Sequence, residues 1–302
     1  MPFKDNKTLY GATLAILATI IWSGNFVIAR GVIHDIPPVT LSFYRWLTAT
    51  LILLPFAGKY FFREWHLVRK QPLLFLIAAA FGISLFNTFV YVAGHHTTAV
   101  NMALIGTTSS PVMSVILARV FLKEKITPLR ILGMAICIIG ILLLLSKGHL
   151  ENLRTLRFTE GDYWMLAAAF CFAVYNICAR KRPAGMNSVN FLFTVFALGT
   201  LLLLPAYLLE YQRQGGIALS GSNIGAILYL GLGTSVICFL LWNIAIHQLG
   251  AGRTSLFGNL IPVFSSLEAV WLLGESVQWL HIISFGLVVL GLIIANTSRR
   301  ST

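Results

Sequence analysis

An internal repeat is the feature that most limits what this chain can fold into. Residues 10–147 and 161–297 match each other at an offset of 150, which becomes 151 in the later part of each segment. Beside many apolar matches, the offset aligns residues that seldom match by chance: Pro55 with Pro205, His96 with His247, Pro111 with Pro262, Glu124 with Glu275, and Gly140 with Gly291. A repeat of this kind in an apolar chain is typical of transporters built from two related halves.

The composition indicates that lipid surrounds most of the chain. Of 302 residues, 57% are hydrophobic and 11% are charged, and the mean hydropathy is +0.82. Soluble domains carry roughly 25% charged residues. Ten apolar segments approach or exceed the about 20 residues that span a bilayer: 10–29, 38–57, 72–93, 98–122, 128–146, 162–179, 189–209, 223–246, 252–273 and 279–297. We therefore predict an all-α integral membrane protein with ten transmembrane helices.

The distribution of basic residues predicts how these helices are oriented. With the amino terminus inside, fourteen Lys and Arg residues fall in cytoplasmic segments and five in outer ones, which places both termini in the cytoplasm. The odd number of five spans in each half inverts the second half relative to the first. We predict a first repeat over 1–147, a linker over 148–160 and a second repeat over 161–302. The net charge of +12 then reflects topology, and no nucleic-acid partner is expected.

Aromatic and amide side chains recur near the middle of equivalent spans. The predicted substrate cavity comprises Trp22, Asn25, Phe26, Thr108, Phe172, Tyr175, Asn176 and Asn259. Amides in hydrocarbon need polar partners. They can hold the ammonium and carboxylate of a zwitterion, while aromatic rings stack on its side chain. Interhelical hydrogen bonding explains any single asparagine equally well, but several at one depth favour a cavity.

Two further pairs of repeat equivalents are candidates for moving parts. Tyr91 and Trp242 are predicted near opposite mouths and are gate candidates, although interfacial aromatic belts place rings at such depths too. Pro111 and Pro262 fall inside spans 4 and 9, where a proline bends a helix. They are hinge candidates, and a static bend at a helix crossing is the alternative.

Charged residues inside the spans are few. Arg45 and Glu268 are predicted at similar depth and are expected to form an intramembrane ion pair, whereas Arg119 is expected to reach the inner interface. Glu268 is the only carboxylate deep in a span, which favours facilitated transport over a proton relay. No HExxH or GxSxG motif and no His/Asp cluster appears, so we predict neither an enzyme nor a metal or cofactor site.

Several motifs recur in characteristic places along the chain: Trp22-Ser23-Gly24-Asn25-Phe26, Pro37-Pro38, Arg45, Tyr91, Pro111, Phe121-Leu122-Lys123-Glu124, Gly133 and Gly140, with Pro262, Leu273-Gly274-Glu275 and Gly291 in the second half. Together they resemble the drug/metabolite transporter superfamily, most closely its ten-helix EamA-type branch. The second half departs from the first in two places: it lacks the Trp-Gly pair, because Phe172-Ala173-Val174 replaces Trp22-Ser23-Gly24, and Val195 replaces Arg45.

The resemblance carries implications for function that the residues alone do not. The aromatic interior is most similar to that of bacterial aromatic amino-acid exporters. It implies export of aromatic and other neutral amino acids and related metabolites from the cytoplasm, by a multi-pass protein of the cell inner (plasma) membrane. The partners of the protein would be the substrate and the lipid bilayer. The protein itself would be a monomer or a homodimer. A proton-coupled drug or metabolite exporter is the main alternative, and a lipid flippase or a membrane enzyme is more remote.

Overall fold

The computed structural model describes residues 6–32, 35–96, 99–146, 151, 159–218, 220–264 and 279–296. These residues are almost entirely helical and include no β-strand. We number the helices in chain order: α1 (Asn6–Val32), α2 (Pro38–Lys70), α3 (Pro72–His96), α4 (Ala99–Leu122), α5 (Pro128–Leu145), α6 (Glu160–Arg180), α7 (Ser188–Gln214), α8 (Gly221–Leu249), α9 (Ala251–Leu256) and α10 (Trp279–Asn296). A 3₁₀ turn, Phe257–Leu260, extends α9 into the helical residues 261–264.

The helices have the length and composition of membrane spans. Five of them, α2, α3, α6, α7 and α8, are long and apolar enough to cross a bilayer, and shorter apolar stretches lie in α4, α5 and α10. Large apolar side chains cover the outside of the bundle, for example Leu51, Phe62, Leu201 and Ile282, each more than half exposed. The all-helical, apolar architecture predicted from the sequence is confirmed, while the number of ten spans and the side on which the termini lie stay predictions.

Helix starts follow the local sequence. Pro38, Pro72 and Pro128 each occupy the first position of a helix, where no backbone N–H is needed. At the start of α6, the carboxylate of Asp162 accepts the N–H of Thr159 at 2.6 Å. Polar side chains thus satisfy backbone donors that a helix start leaves without partners.

Helices α2 and α7, the second helix of each half, pack against each other in opposite directions. Glu210, near the end of α7, accepts the backbone N–H of Thr40 at 2.6 Å and its hydroxyl at 2.7 Å, at the start of α2. Glu64, near the end of α2, accepts the N–H of Asn187 at 3.1 Å and the side-chain amide of Asn190 at 2.8 Å, at the start of α7. Each helix therefore supplies the carboxylate that caps the other.

Residues that are equivalent in the repeat contact each other in this pair of helices and in a second pair. At the middle of α2 and α7, the hydroxyl oxygens of Thr50 and Thr200 are 3.4 Å apart. In the packed pair α5 and α10, the thiol of Cys137 donates to the carbonyl of Val288 at 3.5 Å. The halves are also interleaved, because α1 packs on α8 of the second half and α6 packs on α3 and α4 of the first.

Glycines allow α5 and α10 to approach closely. A Cβ on Gly133 would lie 2.4 Å from the carbonyl oxygen of Gly291, and one on Gly291 would lie 2.6 Å from that of Gly133. These small residues therefore form a contact inside one chain. The four cysteines are free and buried, as expected of packing residues: Cys137, Cys171, Cys178 and Cys238.

Candidate functional site

A cluster of five aromatic rings lies where the two halves meet. We call it the aromatic layer, and its members are Trp22 of α1, Phe86 of α3, Phe172 of α6, and Phe239 and Trp242 of α8. The ring of Trp22 is 4.9 Å from that of Trp242 and 5.7 Å from that of Phe172, its own repeat equivalent. Rings at such separations attract each other beyond the burial of their surface.

An irregular stretch of α8 fixes the position of Trp22. The indole N–H of Trp22 donates to the backbone carbonyl of Thr234 at 2.8 Å, which lies within the π-helical segment Tyr229–Ile237. The π-helical segment Ala80–Leu85 of α3 corresponds to it in the repeat. Such wide turns change the direction of carbonyls and are frequent at functional sites.

Amide side chains connect the aromatic layer to neighbouring helices. The indole N–H of Trp242 donates to Oδ1 of Asn176 at 2.9 Å, and Nδ2 of Asn176 donates to the hydroxyl of Ser114 at 3.2 Å. In a second bond, Nδ2 of Asn243 donates to the Tyr175 hydroxyl at 2.6 Å. All five residues are buried. These amides therefore link α4, α6 and α8 through side-chain hydrogen bonds.

A buried arginine forms the second part of the site. Nε of Arg45 donates to the Ser235 hydroxyl at 2.7 Å. Its Nη1 donates to Oδ1 of Asn87 at 2.9 Å, to the Tyr91 hydroxyl at 3.0 Å and to Oδ1 of Asn25 at 3.2 Å. We call these five residues the Arg45 cluster; they bring together α1, α2, α3 and α8. The two halves both contribute, because Ser235 comes from the second half.

The structure brings together part of the predicted cavity. Trp22 and Phe172 lie in the aromatic layer, Tyr175 and Asn176 lie beside it, and Asn25 lies one turn away in the Arg45 cluster. Both gate candidates are buried within these sets: Tyr91 in the Arg45 cluster and Trp242 in the aromatic layer.

The other predicted site residues belong to neither set or lie outside what is described. Thr108 is half-buried in α4, and Asn259 is buried beside the Cys137 thiol in the 3₁₀ turn after α9. The side chain of Phe26 and the whole of Glu268 lie outside the described residues, so the predicted Arg45–Glu268 pair stays a prediction.

The hinge candidates lie in helical backbone. Pro111 is inside α4, and Pro262 lies in the helical residues 261–264. Within the described residues, the irregular backbone common to both halves is instead found in the π-helical segments of α3 and α8. Whether the prolines act as hinges stays a prediction.

Sequence reasoning missed several residues of the site. Asn87, Ser114, Phe239 and Asn243 received no role, although three of them are polar residues inside apolar segments. Ser235, a further polar residue inside an apolar segment, also received no role. The feature that could have identified the polar ones is a polar side chain inside a span, because such a side chain needs a hydrogen-bonding partner at the same depth.

A separate cavity of about 710 Å³ opens at the end of the bundle where α2 begins and α7 ends. Its lining includes Asp35, His95, His96, Glu210 and the backbone of 214–218. The predicted cavity residues do not line it, so it lies apart from the aromatic layer.

Known proteins match this chain over three quarters of its length or more. An uncharacterized transporter of Bacillus subtilis, YyaM, is 30% identical over 232 residues, which cover 76% of this chain and 74% of that protein. A probable amino-acid metabolite efflux pump of Salmonella typhimurium is 26% identical over 296 residues, which cover 93% of each chain. A protein with a solved crystal structure shares the fold, with a TM-score of 0.75 and 19% identity over 94% of this chain and 96% of that chain.

A family model accounts for both halves of the repeat. The model of the EamA-like transporter family matches twice, over residues 9–146 and 159–297. The two matches confirm the family that the sequence motifs predicted. The chain therefore belongs to the EamA-like transporter family, within the drug/metabolite transporter superfamily.

Proposed function

We propose that this transporter exports neutral amino acids, aromatic ones among them, and related metabolites from the cytoplasm. The observation that carries the proposal is the aromatic layer between the two halves, with hydrogen-bonding amides on the helices beside it. Rings offer stacking surfaces to an apolar or aromatic side chain, and amide and hydroxyl groups offer partners to an ammonium and a carboxylate. A relative at 26% identity carries the name probable amino-acid metabolite efflux pump, which supports the same substrate class.

The transport cycle that we propose is alternating access between two inverted halves of five spans each. A residue can contact its own repeat equivalent only near a two-fold axis that relates the halves. Three such contacts support an axis that crosses the bundle: Trp22 with Phe172, Thr50 with Thr200, and Cys137 with Val288. The opposed directions of α2 and α7 support an axis that runs across the helices, as inverted repeats in a membrane require.

The moving parts follow from this symmetry. An outward-open state requires the contacts on one side of the aromatic layer to separate, and an inward-open state requires those on the other side. Tyr91 and Trp242 would act as the gates, and Pro111 and Pro262 as hinges of equivalent helices. Transport would be facilitated rather than coupled to protons, because Glu268 is the only carboxylate that the sequence places deep in a span. The protein would lie in the cell inner membrane, with both termini in the cytoplasm.

Flux measurements in liposomes test the proposal. Purified protein would be reconstituted, and uptake of radiolabelled phenylalanine, threonine, a nucleotide sugar and a quaternary cation would be compared with and without a pH gradient. We expect saturable flux of the amino acids that is unaffected by the gradient. The Trp22→Ala variant should lose most of this flux, whereas Trp65→Ala, a control on an exposed ring of α2, should retain it.

Two results would contradict the proposal in different ways. Flux that depends on the pH gradient would replace facilitated transport with proton coupling. Flux restricted to the nucleotide sugar or the cation would remove the amino-acid assignment and leave only the membership of the transporter family.

A further inference from the structure

We propose that the Arg45 guanidinium binds the carboxylate of the transported substrate. This inference rests on the proposed function and narrows it to substrates that carry a carboxylate beside an apolar or aromatic group. Arg45 is 2% exposed within an apolar bundle. A cation taken out of water is destabilising unless an anion or a complete set of polar partners surrounds it.

The partners that the structure gives to Arg45 are neutral. They are the oxygens of Asn25, Asn87, Tyr91 and Ser235. Among the described residues, the guanidinium lies in no ion pair. Neutral oxygens satisfy its hydrogen bonds, and no carboxylate of the described residues compensates its positive charge.

The Arg45 cluster also has more donors than acceptors. Because Oδ1 of Asn87 accepts from Arg45, the orientation of that amide is set, and its buried Nδ2 meets no acceptor among the described residues. The hydroxyls of Tyr91 and Ser235 accept from Arg45, and each retains an O–H to donate. A cation beside a buried donor that lacks an acceptor among the described residues is the arrangement that an anion would complete.

The surroundings of the cluster indicate which anion fits. The Trp46 ring lies 5.0 Å from Cζ of Arg45 and 5.3 Å from the Phe239 ring, which in turn lies 5.7 Å from that of Trp22. Asn25 is half-buried and shares a face of α1 with Trp22. An anion at Arg45 would therefore have the aromatic layer as its neighbour. A carboxylate matches the planar fork of a guanidinium, and an attached apolar side chain would reach the rings.

A comparison of an acid with its amide isolates this contact. L-phenylalanine and L-phenylalaninamide share the ring and, at a suitable pH, the ammonium, but only the acid has a carboxylate. Binding to the purified protein would be followed by tryptophan fluorescence, and flux would be measured in liposomes. We expect the wild type to bind the acid about 10- to 100-fold more tightly, as a hydrogen-bonded charge contact implies.

Variants assign this preference to Arg45. Arg45→Gln should bind the acid and the amide with similar affinity, and Asn87→Ala should reduce the preference by a smaller factor. Arg45→Lys keeps the positive charge but not the planar guanidinium, and it should retain part of the preference. This variant separates the loss of the carboxylate contact from a folding defect in Arg45→Gln. Arg119→Gln, a control at an exposed arginine of α4, should keep the full preference.

The outcomes separate this inference from the proposed function. Equal binding of acid and amide by the wild type, or an equal loss of both in Arg45→Gln, would overturn the carboxylate contact even if amino acids are transported. Full transport by the charge-swapped variant Arg45→Glu/Glu268→Arg would also overturn it and support the predicted ion pair. A preference for the acid that depends on Arg45, without any amino-acid flux, would uphold the contact and refute the proposed function.

Discussion

Gly291→Ala tests how closely α5 and α10 are packed. The new Cβ would lie 2.6 Å from both the Gly133 carbonyl oxygen and the Cys137 sulfur, and 2.9 Å from the Cys137 backbone nitrogen. Non-bonded atoms prefer about 3.5–4.0 Å, so the shortfall is on the order of 1 Å. Because two of these three atoms belong to backbone, the helices have to separate.

The expected change in stability follows from two opposed terms. Overpacking of this kind costs about 1–3 kcal/mol, while alanine is better than glycine inside a helix by about 0.5–1 kcal/mol. The net result should be a lower free energy of unfolding, by roughly 1–2 kcal/mol. Gly286→Ala is the matched control on the same helix, since a Cβ there has no atom within 4 Å, and it should leave stability unchanged or raise it slightly.

Thermal unfolding of the purified variants in one detergent is the assay. We expect the Tm of Gly291→Ala to fall below that of the wild type, and the Tm of Gly286→Ala to equal or exceed it. If the two variants unfold at the same temperature, the close contact between α5 and α10 does not contribute to stability as the geometry requires, and the reasoning fails.

Two further changes probe the caps and the site. Glu210→Gln removes the charge and one acceptor from the start of α2, so the free energy of unfolding should fall by about 1 kcal/mol. Thermal unfolding measures the change, with Glu151→Gln at an exposed position as the control. An equal Tm for the two variants would contradict the cap. Trp242→Phe keeps a ring but deprives buried Asn176 of its indole donor, so the unfolding free energy should fall by about 1–3 kcal/mol, whereas Trp65→Phe at an exposed ring should have little effect. Wild-type stability of Trp242→Phe would show that this bond is not formed.

Much of the architecture could be predicted from local and repeated patterns. A long apolar segment can satisfy all of its own backbone hydrogen bonds in lipid only as a helix, and prolines such as Pro38, Pro72 and Pro128 indicated where helices begin. The offset between the halves identified Trp22 and Phe172 as equivalents, which the structure places in contact. These inferences hold because helix formation and repetition are properties of the chain itself.

The composition of the site was decided by the tertiary structure. Periodicity shows which residues share one face of a helix, but the rotation and depth of that helix against its neighbours depend on the packing of all the others. Ser235 and Asn87 meet Arg45 from two other helices, and Thr234 offers its carbonyl to Trp22 only because α8 is π-helical there. The sequence by itself determined a repeated bundle of membrane helices. Only the packed bundle decided which polar groups meet inside it, because those contacts depend on interhelical geometry that no single segment encodes.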